Sequence, residues 1–312
     1  MLRRLIAMLA ALIAGATSAS AAPNPSYGVN GTSSILLAPS ATARRAAIAD
    51  LARIGARYVR IDVTWTFVEP MPGAFNWPYY DAVVSDIRAR GLEPILLLDY
   101  GNPAYGPTTR PADFARYARA VAARYAPRGC HTFEVWNEPN HPAHYLSPGD
   151  FVALLAASRA AIHTADPSAI VISGGLAPSG AVSYAQAMYA AGAHGTFDAF
   201  GLHPYVGEGT DAQQPIRDLM VANGDGAKKM WATEAGWSTW DTPGNSEELQ
   251  ASRFTQMVGW WREVPGWGPF IAYTHRDTGT DPLNAEQHFG LLRFDGSRKP
   301  AWTTFRGLVR AG

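Results

Sequence analysis

The chain has 312 residues, 47% of them hydrophobic and only 17% charged, which is enough apolar material for a sizeable core and excludes a disordered chain. With 26 Lys and Arg against 26 Asp and Glu and no basic run longer than a pair, an electrostatic grip on nucleic acid has no source. The solitary Cys130 excludes an intramolecular disulfide, a cysteine-based zinc site and an iron–sulfur cluster, while 10 Trp, 13 Tyr and 12 Phe are more rings than packing requires and point to a binding surface made of aromatic faces.

The first predicted element is an export signal. Met1 to Arg4 carries two positive charges, Leu5 to Ala16 is an apolar run of signal-peptide length, and Ala19-Ser20-Ala21 has the small-x-small pattern read by signal peptidase. Cleavage is expected after Ala21, with Ala22 the second choice. Residues 1–21 are then a signal peptide, and residues 22–312 a protein that is secreted or kept in the cell envelope. The run is shorter than the roughly 20 apolar residues that span a bilayer, which argues against a stable membrane anchor. No cysteine follows it to carry a lipid. Without Arg3 and Arg4 the balance is 24 basic against 26 acidic residues, near neutral at −2. An exported chain without disulfides must draw its stability from its core.

Eight short apolar runs then alternate with amphipathic stretches. Strands are predicted at Tyr27 to Gly31, Tyr58 to Val63, Pro94 to Tyr100, Thr132 to Asn137, Ala169 to Gly174, Phe197 to His203, Lys229 to Thr233 and Phe270 to Thr274. They are rich in Val, Ile and Tyr and apolar nearly throughout, as strands covered on both faces must be. Helical patterns lie between them, among them Pro111 to Tyr125, Pro148 to Ala165 and Ser246 to Trp261. Gly55, Gly91 and Gly192 follow three of these patterns, where a helix end takes a left-handed residue. Strict alternation means parallel strands joined by right-handed crossovers. Eight such units make an α/β protein of the (β/α)8 TIM-barrel class, a single domain over residues 22–312. A doubly wound sheet is the rival, but no glycine-rich phosphate fingerprint follows the first strand.

In a parallel barrel the chemistry sits where strands end. The fourth strand leads into Asn137 and Glu138, and the seventh into Glu234. A carboxylate behind an apolar strand needs a reason, because burying an unpaired charge is costly. Two carboxylates together are the equipment for cleaving a glycosidic bond, one protonating the leaving oxygen and the other attacking or activating water. Strict alternation sends Asn137 and Glu138 to opposite faces, so both serve one site only if the strand ends or bulges there. Arg60 near the end of strand two is a partner for Glu234, with a barrel ion pair to Asp62 as the other reading. His203 and Tyr205 end strand six, the imidazole placed to orient an acid and the phenol to donate to a nucleophile. Asp99, Tyr100, Tyr273 and His275 end strands three and eight as candidate sugar contacts.

Four stretches together resemble the retaining glycoside hydrolases of clan A. Trp-Asn-Glu-Pro-Asn at 136–140 is similar to the acid/base signature, and Thr-Glu-Ala-Gly-Trp-Ser-Thr at 233–239 to the nucleophile signature. The stretch at 65–77 is similar to the turn after strand two, and that at 289–302 to the closing segment. Family 39, with its exopolysaccharide-cleaving members, is the nearest likeness and family 5 the next. The resemblance implies Glu138 as acid/base, Glu234 as nucleophile, Asn137 as a 2-hydroxyl contact, Arg60 and Tyr205 as partners of the nucleophile and His203 as a supporting group. Where many members end strand eight with a Trp that floors the sugar site, this chain reads Ala-Tyr-Thr-His at 272–275. Tyr273 is then the substitute, with Trp65, Trp237 and Trp240 as further stacking candidates.

The expectation is a secreted, endo-acting retaining β-glycosidase on a polysaccharide or oligosaccharide, needing no cofactor and no metal. Glu138 is expected to be kept protonated by its surroundings and by the neighbouring carboxylate. The rivals are a catalytically inactive carbohydrate-binding barrel, a transglycosylase using the same residues, and a metal-dependent hydrolase built on His131, His141 and His144.

Overall fold

The computed structural model describes residues 24–240 and 245–312. The expected signal peptide, and residues 241–244 of the loop after strand seven, lie outside the described residues. The eight apolar runs form β1 (Asn24–Asn30), β2 (Ala56–Thr64), β3 (Glu93–Asp99), β4 (Thr132–Val135), β5 (Ile170–Ser173), β6 (Ala199–Leu202), β7 (Lys229–Ala235) and β8 (Trp267–Ala272). They pair in sequence order and in parallel, and β8 returns to β1 through Tyr27–Phe270 and its neighbours, so the sheet is a closed barrel. The sequence Glu-Pro-Ile-Leu-Leu-Leu-Asp of β3 is buried at every position, because helices cover its outer face and other strands its inner face.

The helices end where the sequence places left-handed residues. Gly55, Gly91 and Gly192 have φ of 91°, 72° and 90°, a region open to glycine without steric cost. Side chains inside the barrel come in layers. Tyr58, Ile95, Ile172, Ala199, Trp231 and Ile271 form an apolar plug, distinct from the larger core between strands and helices. Alternate residues of a strand share a face, so two steps beyond Tyr58 the interior of β2 presents Arg60, and two steps further Asp62. The barrel therefore turns from apolar to charged on approach to its C-terminal mouth. Among the described residues no helix is long and apolar enough to cross a membrane.

The boundary that matters for the site is that of β4, which stops at Val135, short of the expected Asn137, although apolar character runs on through Trp136. The physical reason is local, and it builds the site described next.

Candidate active site

Trp136 and Glu138 have positive φ, 69° and 48°, the left-handed region that costs a non-glycine residue about 1–3 kcal/mol. Surrounding bonds hold them there. The Trp136 amide donates to the Leu98 carbonyl at 2.9 Å and its indole to the His144 carbonyl at 2.9 Å. The Glu138 amide donates to the Gly175 carbonyl at 3.1 Å. These turns break the alternation of β4, and Asn137 and Glu138 both line the same cleft.

Arg60 rises from β2 with 1% exposure and distributes its guanidinium over three acceptors. Nε donates to Glu134 Oε2 at 2.6 Å, Nη1 to Glu234 Oε1 and Nη2 to Asn137 Oδ1 at 2.9 Å. The alternative pairing with Asp62 is not made. Asp62 instead accepts from the Thr32 hydroxyl at 2.9 Å. Glu234 stands where the β7–β8 register slips between Ala232 and Ala235, the kind of irregularity that re-aims a side chain. Its second oxygen accepts from the Tyr205 hydroxyl at 3.2 Å. Burial, and then the Glu234 charge, push the Tyr205 phenol well up, so it stays a donor.

His203 follows β6 and is fully buried. Its Nδ1 is 2.8 Å from Glu138 Oε1 and 3.7 Å from Glu234 Oε2, so those two oxygens are at most about 6.5 Å apart. Burial opposes the imidazolium, but the Glu234 charge and the Glu138 hydrogen bond outweigh it and raise the His203 pKa. For Glu138, burial pushes the carboxyl up, and the His203 hydrogen bond and charge outweigh that and bring it below its ordinary range. This corrects the expectation of a Glu138 kept protonated by its surroundings. Both shifts run toward an ionised Glu138 beside a protonated His203, which is its closest charged partner at 2.8 Å.

The cleft has a volume of about 950 Å³, at the upper end of the range for ligand sites. Tyr100 and Tyr273 are in its wall together with Arg60, Asn137, Tyr205 and both glutamates. Tyr273, Tyr205 and Phe289 form a ring cluster with centroids 5.4–6.3 Å apart. Trp65 is not brought to the cleft. It is fully buried, stacked on Tyr117 with centroids 5.4 Å apart, and its indole donates to Glu69 at 2.7 Å. Trp237 and Trp240 also lie outside the cleft wall, Trp237 with the Arg253 guanidinium 4.7 Å over its ring. Asp99 is buried, and His275 is turned to Ser34 and Asp50. The three histidines do not converge, since His131 is bonded to Asp166 at the start of β4 while His144 stacks on Tyr100. Among the described residues no three His, Cys, Asp or Glu side chains are grouped to hold a metal ion.

Sequence reasoning missed Glu134 and Glu286. Glu134 is fully buried in β4. The signal for it was an acid in mid-strand between Phe133 and Val135, which has to be paired there. Glu286 lines the cleft from the Ala285–His288 turn, and no local pattern marks it.

By sequence the chain matches no protein-family model and no curated protein. By structure it is similar to a family 39 glycoside hydrolase from the gut symbiont Bacteroides cellulosilyticus WH2, at 23% identity and a TM-score of 0.72 over 85% of this chain and 60% of that one. It is also similar to a GH5_18 protein from Streptomyces cattleya solved with GlcNAc, at 20% identity and a TM-score of 0.71, covering 93% and 80% of the two chains. A GH39 enzyme from Xanthomonas axonopodis pv. citri gives 18% identity and a TM-score of 0.72, covering 92% and 67%. The chain thus spans about 60% of the length of the first of these. At such identities the likeness establishes the fold alone, a (β/α)8 barrel.

Proposed function

We propose that the chain is a secreted glycoside hydrolase that cleaves O-glycosidic bonds of a polysaccharide or oligosaccharide with retention, acting within the glycan chain. The observation that carries this reading is the pair of strand-end glutamates facing each other at His203, their nearer oxygens at most about 6.5 Å apart. Retaining enzymes hold the two carboxyls roughly 5–5.5 Å apart, whereas inverting enzymes leave about 6.5–9.5 Å for a water molecule. The structural likeness to family 39 and GH5_18 proteins supports the same reading. The sequence of residues 1–21 supports secretion.

In this mechanism Glu234 is the nucleophile. It accepts from both Arg60 and Tyr205, which fixes it and is the bonding of a carboxylate rather than an acid. Glu138 is the acid/base, and its proton comes from the short contact with His203. The imidazolium proton passes to Glu138 and from it to the departing glycosidic oxygen while Glu234 attacks the anomeric carbon, which leaves Glu138 ionised and His203 neutral for the second step. Water then enters on the same face and loses its proton to Glu138, and the glycosyl–Glu234 ester breaks. Asn137, held by Arg60 and Tyr100, bonds the 2-hydroxyl in this reading. Tyr273 is the aromatic wall of the sugar site.

The test is Glu234→Ala on a glycan panel read by mass spectrometry, with the anomer of the first wild-type product followed by proton NMR. Turnover should vanish in the variant, return with azide as an α-glycosyl azide, and give the β-anomer first in the wild type. A Glu234→Ala protein with a near-normal rate would end the assignment, and an inverted first product would end the retaining mechanism. Product size separates endo from exo action, and longer products in the presence of an acceptor sugar would reveal transglycosylation.

A further inference from the structure

The two catalytic carboxylates reach the cleft from strands that are not neighbours, Glu138 from the turn after β4 and Glu234 from β7, so something must set the distance between them. One buried side chain touches the supports of both. Glu134 Oε2 accepts from Arg60 Nε at 2.6 Å, and the other nitrogens of the same guanidinium hold Glu234 and Asn137. Glu134 Oε1 accepts from the Gly175 amide at 3.0 Å, and the carbonyl of Gly175 in turn receives the Glu138 amide at 3.1 Å. The peptide at Gly175 has little room to move. A Cβ there would stand 2.3 Å from His203 Nε2 and 2.4 Å from Thr233 Oγ1, and one on Gly174 would stand 2.7 Å from the Trp136 carbonyl.

We propose that Glu134 is a positioning residue that sets the separation of Glu138 and Glu234, bridging Arg60 to the Gly174–Gly175 backbone; the proposal rests on the glycosidase reading given above. Glu134 does not line the cleft and touches no substrate. It acts through Arg60 on one side and through a peptide group on the other. Only a carboxylate can do this. Both partners, Arg60 Nε–H and Gly175 N–H, are donors, so the bridge needs an acceptor at each end of the side chain. Glutamine has the same shape but offers one oxygen and one NH2, so one link is lost whichever way its amide is turned. Removing the acid also leaves Arg60 with one counter-charge fewer, which favours the ionised form of the carboxylates it still serves.

The experiment compares wild type, Glu134→Gln and Glu134→Asp, using an aryl β-glycoside or glycan that the wild type hydrolyses and, without substrate, the ¹³C titration of the glutamate side-chain carboxyls. A displacement of about 1 Å at a reacting group costs on the order of a hundredfold in rate. Glu134→Gln should therefore lower kcat about a hundredfold with KM changed less than about threefold, and move the acid limb of kcat/KM to lower pH. Glu134→Asp keeps two acceptors on a shorter arm, so it should restore the acid limb while recovering only part of kcat. The carboxyl titrations of Glu138 and Glu234 should move in Glu134→Gln by the same sign as the limb. A variant whose melting temperature drops while its kcat, acid limb and carboxyl titrations stay at wild-type values would reduce Glu134 to a structural ion pair and overturn the proposal. Should Glu134→Gln not fold, a Glu134→Asp protein with wild-type kcat would overturn it equally. If the wild type cleaves no glycoside at all, the glycosidase reading fails, while the titrations still decide whether Glu134 couples the two carboxylates.

Discussion

A single nitrogen, His203 Nδ1, lies within 2.8 Å of one catalytic carboxylate and 3.7 Å of the other, which makes the proton of the site a property of the cluster rather than of Glu138 alone. The His203 pKa is raised and that of Glu138 lowered. A group with a raised pKa gives up its proton above its ordinary range, about 6.5 for histidine. The basic limb of kcat/KM in the wild type should therefore lie above that value. His203→Gln leaves Glu138 as the only acid, and the basic limb should fall toward the carboxylate range by at least about one pH unit. An unmoved limb in the variant would separate His203 from the proton transfer. At this scale the sequence was legible where chemistry is tied to strand ends. His203, Tyr205, Glu138 and Glu234 stand at the ends of three strands; Tyr205 and both glutamates line one cleft with Arg60 from the middle of β2, and His203 is buried against Glu138. It was not legible for Trp65, whose burial comes from packing under the helix Pro111–Tyr125. Nor was it legible for the protonation of Glu138, which depends on a residue 65 positions away.

At the scale of elements, the barrel has to be fastened where its first and last units meet, and Asp50 on the helix Ala41–Ile54 does part of this. It accepts from Trp302 Nε1 at 2.8 Å in the helix Pro300–Ala311, from Arg298 Nη2 at 2.8 Å just before it, and more distantly from His275 beyond β8 at 3.4 Å. Burial pushes the Asp50 carboxyl up, but bonds from His275, Arg298 and Trp302 outweigh it and hold the group far below its ordinary range. A depressed carboxylate contributes stability above its unfolded pKa, about 3.9, and loses it as pH falls toward the folded value. Asp50→Asn should therefore lower stability at pH 7 by about 1–3 kcal/mol, a few degrees in Tm, with the gap to wild type narrowing below about pH 4. Urea unfolding of both proteins at pH 7 and pH 3 measures this, and an equal gap at both pH values would remove the ionic part of the clamp. The closing stretch at 289–302 stood out in the sequence, but its anchor did not, since Asp50 is an ordinary helix-face acid until the chain has come full circle. The same holds for β4. Its apolar pattern runs on to Asn137, yet bonds from Trp136 and Glu138 to β3 and the β5 loop stop the strand at Val135.

For the molecule as a whole, a formal charge of zero describes the chain and not its cleft. The cleft is lined by Asp62, Glu138, Glu208, Glu234 and Glu286, with Arg60 and His141 the only basic residues among its lining. Arg60 is occupied by Glu134, Glu234 and Asn137, so it offers nothing to an incoming anion. Burial first, and the neighbouring carboxylates after it, push Glu286 up; Asp62 is pushed up mainly by burial, against the opposing charge of Arg60. The upward shift that the other carboxylates cause at Glu286 is the mark of this negative field, and a carboxylate arriving with the substrate would add to the repulsion. A concave site lined by one sign of charge focuses its field on the ligand. Between two glycans of the same backbone and linkage, one neutral and one oxidised to uronate, the neutral one should show the higher kcat/KM, by at least about tenfold at low salt. The ratio should shrink toward 1 M salt, where the Debye length is about 3 Å. Glu286→Gln and Glu208→Gln should each narrow it at low salt while leaving the neutral substrate within about threefold of wild type. Equal turnover of the uronate at low salt would mean that the cleft's carboxylates are neutralised in the complex, and the charge reading would then fall while the catalytic assignment stood.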